Sequence, residues 1–115
     1  MTFALILVAH WVGDYVFQTS RMAMEKSSKL KWLSLHVLMY MVTLGVFSAF
    51  LFPAKQAVTY VVANGLLHFV TDFFTSRLAS KYQDNPRIFY PVLGFDQLIH
   101  GLCLYLTFIN LENLI

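Results

Sequence analysis

The stretch WLSLHVLMYMVTLGVFSAFLF, residues 32–52, decides the fold of this chain. It runs for 21 residues without an Asp, Glu, Lys or Arg, and about 20 predominantly apolar residues suffice for a helix to cross a bilayer. Its apolar residues occupy every face of a helix, whereas a surface helix of a soluble bundle keeps them on one stripe. The stretch therefore predicts a transmembrane helix.

Three further apolar runs lie at residues 2–17, 57–74 and 88–109. The chain has 115 residues, of which 58% are hydrophobic and only 12% are charged, whereas soluble domains are about 25% charged. Polar breaks at 19–31, 53–56 and 81–91 separate the runs, and prolines mark their edges, as expected where helices begin or end. We predict an all-α bundle of four transmembrane helices in a single membrane domain, residues 1–115.

A short motif occurs twice in the chain. His10-x3-Asp14 recurs as His68-x3-Asp72, each on the first helix of a predicted pair. Two related helical hairpins, 1–52 and 56–112, are the simplest arrangement that explains this recurrence, although so short a motif can also recur by chance.

The basic residues gather in two of the three connections between the apolar runs. They are Arg21, Lys26, Lys29 and Lys31 in the first connection, and Arg77, Lys81 and Arg87 around the third. Because cytoplasmic loops of membrane proteins carry an excess of Lys and Arg, these connections are predicted to face the cytoplasm. Both termini are then expected outside.

Ionisable side chains stand inside the apolar runs at helical spacing. Each predicted helix holds one histidine, and three helices hold an aspartate one turn away; the seven residues are His10, Asp14, His36, His68, Asp72, Asp96 and His100. At 1.5 Å per residue, all seven fall in the cytoplasmic half of the bundle. A charged group at mid-membrane costs about 2.5–3.5 kcal/mol or more, so the aspartates must be protonated, paired or metal-bound.

A metal site explains this set best. Among the basic residues, Arg21 is the one placed on the same face, because it follows His10 by eleven residues and returns to within about 20° of it on an ideal helix. It can match one carboxylate at most. Imidazole and carboxylate together suit zinc, manganese or iron better than calcium. We predict one or two divalent transition-metal ions, zinc favoured, held by the seven residues.

Other polar residues follow the same helix faces. Side chains expected to hydrogen-bond the ligands are Gln18, Tyr40, Asn64 and Gln97, and Arg21 is expected to bind an anion. The combined pattern is H-x3-D-x3-Q, then a lone histidine, then H-x3-D, then D-Q-x2-H. It resembles the small bacterial and phage membrane proteins of domain-of-unknown-function family 3307, which are more distantly similar to membrane-bound metal-dependent hydrolases. The resemblance implies a bacterial inner-membrane protein and hydrolytic chemistry without naming a substrate.

Three functions are compatible with these features. The first is a metal-dependent hydrolase, with Asp14, Asp72 and Asp96 as its catalytic carboxylates, acting from the cytoplasmic side on an anionic substrate such as a phospholipid or lipid phosphate. The second is a metal-tied structural or regulatory protein that serves a partner. The third is a small ion- or proton-handling protein.

The expected partners follow from the membrane setting. They are membrane lipids and, through the small-residue faces Ala9-x3-Gly13 and Gly45-x3-Ala49, a second copy of the chain or another membrane protein. No nucleic acid is expected.

Overall fold

The computed structural model describes residues 1–114, and its elements are helices joined by short turns. Helix α1, Thr2–Trp11, continues as a π-helical turn, Val12–Val16; it is followed by α2, Ser20–Glu25; α3, Leu30–Leu51; α4, Ala54–Lys81; α5, Pro86–Ile109; and a 3₁₀ turn, Leu111–Leu114. Local chemistry explains where two of the helices begin. The Thr19 hydroxyl caps α2 by accepting from the Met22 N–H at 3.2 Å, and Pro86 opens α5, where its missing N–H costs nothing.

The four longer helices form a ring. Helix α3 packs against α4, α4 against α5, and α1 against both α3 and α5. Toward the turn between α3 and α4, the interior of the ring is apolar, and its buried residues are Ile6, Ala9, Tyr40, Leu44, Tyr60, Leu104 and Leu111. The buried histidines and aspartates collect in the other half of the bundle, beneath α2.

The outside of the bundle is apolar. On both α3 and α4, every fourth residue along one face is apolar and exposed. These residues are Leu38, Val42, Val46 and Phe50 on α3, and Val58, Val62, Leu66, Val70 and Phe74 on α4. A water-soluble bundle has the opposite arrangement, with such rows inside. Helices α3, α4 and α5 are each long and apolar enough to cross a membrane.

The prediction of four membrane-spanning helices is wrong for the first helix. Within residues 1–114, three helices are long and apolar enough to cross a membrane, and the first is not among them. The apolar stretch Thr2–Val16 is about 22 Å long at 1.5 Å per residue, shorter than the hydrocarbon core of about 30 Å. The helix ends early because Val12–Val16 widens into a π-turn, closed by the Phe17 N–H bonded to the Val12 carbonyl at 3.0 Å. The division into two related hairpins stays a prediction.

Gly13 allows the end of α1 to lie against α3. A Cβ at this position would lie 3.3 Å from the Tyr40 Cα and 3.3 Å from the Thr43 Cβ, closer than ordinary van der Waals contact. Ala9 is buried one turn earlier. This small-residue pair therefore serves packing within the chain. Gly45 and Ala49 instead line an apolar groove of about 380 Å³ with residues of α4, and a partner helix there stays a prediction.

Candidate metal centre

Four buried side chains direct one ligand atom each toward a common point. The Nε2 of His36 lies 2.9 Å from the Asp14 Oδ1, 3.1 Å from the Asp72 Oδ2 and 3.1 Å from the Nε2 of His68. The Nε2 of His68 lies 3.4 Å from the same two oxygens. We call Asp14, His36, His68 and Asp72 the primary cluster. All four are almost completely buried.

The spacing of these atoms fits the shell of one metal ion. Around an ion with bonds of 2.0–2.2 Å, neighbouring donors stand about 2.8–3.1 Å apart in an octahedral shell and about 3.3–3.6 Å apart in a tetrahedral one. The five distances above, 2.9–3.4 Å, fall within these two ranges. Two imidazoles and two carboxylates are also a donor set that zinc, iron and manganese accept. The primary cluster could therefore hold a divalent transition-metal ion.

A second group of possible ligands adjoins the first. Asp14, Asp96 and His100 each place one ligand atom within 4.8 Å of the others. The Nε2 of His100 lies 3.1 Å from the Asp96 Oδ1 and 3.1 Å from the Asp72 Oδ1. We call Asp14, Asp96 and His100 the secondary cluster. Asp72 thus presents one oxygen to each side, and Asp14 belongs to both clusters, so either carboxylate could bridge two ions.

The helices position these side chains through simple periodicity. His68 and Asp72 on α4 are one turn apart and share a face, as do Asp96 and His100 on α5. Their order is reversed between the two helices, which run antiparallel and bring like groups level. Asp14 comes from the π-turn, a local widening that is frequent at functional sites.

Gln97 links His10 to the clusters. Its amide nitrogen donates to the Asp14 Oδ2 at 3.1 Å and to the Asp96 Oδ2 at 3.0 Å, and its amide oxygen lies 2.8 Å from the His10 Nε2. The amide oxygen accepts, so the His10 ring donates from Nε2. His10 lies 3.6 Å from the Asp14 Oδ2 and belongs to neither cluster. The structure therefore places His10 one layer behind the ligands.

The other expected supporting residues occupy different places. The Tyr40 ring stacks on the His68 imidazole with centroids 4.0 Å apart. Asn64 donates to the Tyr60 carbonyl at 3.0 Å and to the Thr107 hydroxyl at 2.9 Å, joining α4 to α5 in the apolar half. Gln18 lies beyond the end of the π-turn. The helix does not reach it, so helical spacing no longer places Gln18 on the same helix face as Asp14.

Lys26 is the cation that contacts a cluster. Its Nζ donates to the Asp72 Oδ2 at 3.2 Å, and its side chain is 16% exposed. This contact has no signature in the sequence, because Lys26 stands in a polar connection whose basic residues are explained by membrane topology alone. Its position depends on α2 folding back over the bundle, which no periodicity encodes.

Arg21 lies on the surface, away from both clusters. Its Nε donates to the Glu25 Oε2 at 2.7 Å, its side chain is 66% exposed, and its guanidinium stacks over the Trp32 ring. Hydrogen bonds from Arg21 and then from Lys29 hold the pKa of Glu25 below its usual range. The eleven-residue spacing from His10 does not bring Arg21 to the cluster, because the helix ends before it.

A cavity of about 280 Å³ reaches the clusters from one side. It lies beneath α2 and the turn that follows, between α4 and α5, and Asp72 and Asp96 are in its wall. The hydroxyl of Thr75, also in the wall, hydrogen-bonds the Asp96 Oδ1. Asp14 does not line this cavity. One aspartate of each cluster is therefore accessible from it.

Comparison with known proteins gives one match. No curated protein and no solved structure matches the chain. The family described as protein of unknown function (DUF3307) matches residues 2–114. Since that match spans nearly the whole chain, the protein belongs to this family.

Proposed function

We propose that the protein is a membrane-embedded, metal-dependent hydrolase that acts on an anionic substrate such as a phospholipid or lipid phosphate. One observation carries this proposal: Asp72 and Asp96 belong to the ligand clusters and also line a cavity. Structural zinc sites are closed by protein ligands, whereas catalytic sites keep a position open. The cavity provides such access.

The chemistry would be divided between the ion and the carboxylates. A divalent ion in the primary cluster would act as a Lewis acid and lower the pKa of a coordinated water from 15.7 towards about 7. Asp96 is oriented by Gln97 and Thr75 and faces the cavity, so it is the residue we assign to accept a proton. Asp72 shares the wall and binds as a ligand. Asp14 lies behind the cavity, so we assign it a ligand role alone.

Zinc is the first choice for the ion. Zinc takes imidazole and carboxylate ligands readily, and a water reached from the cavity would be a fifth ligand beside the four donors of the primary cluster, a coordination number that catalytic zinc can reach. Manganese and iron accept the same donors, so the elemental analysis described below includes all three. The secondary cluster would take a second ion, with Asp14 and Asp72 between the two.

The cavity opens at the basic end of the bundle, where α4 ends at Lys81 and α5 begins beside Arg87. By the tendency of basic loops to remain inside, we assign this end to the cytoplasm of a bacterial cell. We assign both termini to the outer side, because Phe3 of α1 packs against Phe108 near the end of α5, although α1 is shorter than a full span.

A metal-tied structural role is the second candidate. The observation that favours it is the origin of the ligands, because α1 with its π-turn, α3, α4 and α5 each contribute at least one. An ion in the primary cluster would therefore cross-link α1 with its π-turn, α3 and α4, and an ion in the secondary cluster would join α5 to them through Asp14. Ion conduction is less well supported, because Ile6, Leu44 and Leu104 fill the other half of the interior.

The first experiment is elemental analysis of detergent-purified protein for zinc, manganese and iron. The variants are His68→Ala and Asp72→Ala, and Asp84→Ala is the control because Asp84 is exposed in the turn before α5. We expect metal in the wild type and in the control and its loss in both cluster variants. A folded wild type that contains no metal and takes up none would contradict both metal-dependent candidates.

The second experiment separates the hydrolase from the structural protein. Asp96→Asn keeps a hydrogen-bonding side chain while removing the carboxylate, and phosphate-ester hydrolysis is followed in phosphatidylcholine vesicles that contain phosphatidic acid as the anionic substrate. The hydrolase proposal expects a loss of about 10²–10⁴-fold in rate, as for removal of a general base, with the metal of the primary cluster retained. A structural role expects no turnover in any variant and a lower unfolding temperature on metal removal.

A further inference from the structure

The walls of the cavity beneath α2 differ from one side to the other. The turn after α2, helix α4 and the turn after it contribute mostly polar side chains, namely Lys26, Ser27, Asp72, Thr75, Ser76, Ser80 and Gln83. Helix α5 contributes the apolar side chains of Phe89, Val92 and Leu93, together with Asp96. A cavity that is mostly polar on one side and mostly apolar on the other matches a ligand with a polar head and a hydrocarbon chain.

Two polar groups of the wall have unused hydrogen-bonding capacity. The Ser76 hydroxyl is buried without a partner in the part of the chain that the structure describes. Lys26 uses one of the three donors of its ammonium on Asp72. Lys26 is also the one cation in the wall among residues 1–114. Donors without acceptors, beside a cation, favour an anionic ligand rich in acceptor oxygens, such as a phosphate group.

The size and position of the cavity restrict the ligand further. About 280 Å³ accommodates a phosphate group and the first carbons of a chain, but it is below the roughly 300–1,000 Å³ of pockets that enclose a whole drug-sized ligand. Leu93, in the apolar wall, is itself 39% exposed, and Tyr90, nearby on α5 and outside the cavity, is 66% exposed. A chain that starts in the cavity can therefore leave over α5 into the surrounding bilayer.

We propose that this cavity binds the phosphate head of a membrane amphiphile, with Lys26 and Ser76 on the phosphate and with Phe89, Val92 and Leu93 against the start of its chain. The proposal rests on the proposed function in one respect, since it places the phosphate beside Asp72 and Asp96, whose negative charges an ion at the clusters would offset. It goes further in naming the residues that bind the phosphate head and those that contact the chain.

The test measures binding rather than turnover. Metal-loaded protein is released from vesicles of phosphatidylcholine and phosphatidic acid, and native mass spectrometry counts each lipid bound per chain. We expect phosphatidic acid to be retained in preference to phosphatidylcholine. Lys26→Ala should lower its retention by about tenfold or more, the loss expected for one charge-assisted hydrogen bond. Lys29→Ala is the matched control, because Lys29 is 57% exposed and pairs with Glu25 instead.

A second pair of variants tests the apolar wall. Val92→Trp fills the cavity from α5 and should abolish retention, whereas Leu98→Trp, on the outward face of the same helix where Leu98 is 56% exposed, should leave retention unchanged. Calorimetric titration with inorganic phosphate distinguishes the two sources of the anion. Inorganic phosphate that binds as tightly as phosphatidic acid would overturn the amphiphile assignment, and so would retention that is indifferent to both Lys26→Ala and Val92→Trp.

Metal content, measured on the same samples, distinguishes failure of this inference from failure of the proposed function. Metal-free wild type that retains phosphatidic acid through Lys26 contradicts the metal-dependent function and supports the binding site. Metal-loaded wild type without a preference for phosphatidic acid overturns the binding site and leaves the metal centre standing. Protein with neither metal nor lipid preference overturns both.

Discussion

The Nε2 atoms of His36 and His68 lie 3.1 Å apart in the buried centre of the bundle. A single hydrogen bond between them requires one ring to donate and the other to accept, while each also meets the carboxylates of Asp14 and Asp72. The Nδ1 atoms of both rings have no partner in the part of the chain that the structure describes. A cation between the two Nε2 atoms would satisfy both lone pairs at once, with the ring protons on Nδ1.

The four histidines should therefore differ in their effect on metal binding. We expect His36→Ala to lower the metal affinity by more than about 100-fold, because the loss of a residue that only hydrogen-bonds a metal ligand already lowers metal affinity by about 10–100-fold. His10→Ala should retain the metal and lower its affinity by about tenfold, because His10 acts through Gln97. Competition with a chelator of known affinity measures both. Equal losses would place His10 among the ligands.

Gln97 should orient the two aspartates that it joins. Gln97→Leu removes donors to Asp14 and Asp96 while keeping a side chain of similar length, and we expect a 10–100-fold loss of metal affinity with little change in helix content. Circular dichroism and chelator competition provide the two measurements. Gln56→Leu, near the start of α4 and away from the clusters, is the control and should behave as wild type. If Gln97→Leu binds metal as tightly as wild type, the Gln97 amide does not orient the two aspartates.

Gly13 should be intolerant of a methyl group. Gly13→Ala places a Cβ 3.3 Å from the backbone of Tyr40, and overpacking of this kind costs about 1–3 kcal/mol of folding free energy. Gly101→Ala is the matched control, because no heavy atom lies within 4 Å of its added Cβ and alanine is the better helix former by about 1 kcal/mol. Thermal unfolding in detergent should rank Gly101→Ala at or above wild type and Gly13→Ala below it. The reverse order is incompatible with the close approach of α1 to α3.

The proposed orientation can be tested by cysteine labelling. In a Cys103→Ser background, Ser28→Cys marks the turn between α2 and α3, and Lys55→Cys marks the start of α4. Both positions are exposed. A membrane-impermeant maleimide should label Lys55→Cys on intact spheroplasts and should label Ser28→Cys only after lysis, because the basic connection is assigned to the cytoplasm. The opposite pattern would place both termini in the cytoplasm.

Much of the helical architecture was accessible from the sequence, because helix boundaries in an apolar chain depend on local features. The long uncharged stretch 32–52 covers α3 except for its first two residues, and Pro86 opens α5. The failure of the first spanning helix has a physical cause. Apolar composition continues through Phe17, whereas the backbone widens at Val12–Val16 in order to place Gly13 and Asp14 against α3. That constraint is tertiary and leaves no mark on hydropathy.

The site divides in a similar way. His68 and Asp72, or Asp96 and His100, share a helix face and could be paired from spacing alone. The positions of Lys26 and Arg21 could not, because both follow the break at Phe17 and an extrapolated helical phase no longer applies. The difference in role between His10 and His36 also depends on Gln97, whose amide lies between His10 and the ligands.

The short first helix has a consequence for the surrounding lipid. A helix whose apolar length is below the bilayer thickness is accommodated by thinning of the adjacent bilayer, a hydrophobic mismatch that costs fractions of a kcal/mol per Å. At about 22 Å against about 30 Å, the stretch Thr2–Val16, which is α1 with its π-turn, would draw one leaflet inward along its side of the bundle. Beside α1, we therefore expect the water interface to lie nearer to the depth of Asp14 than it does beside α3 or α4.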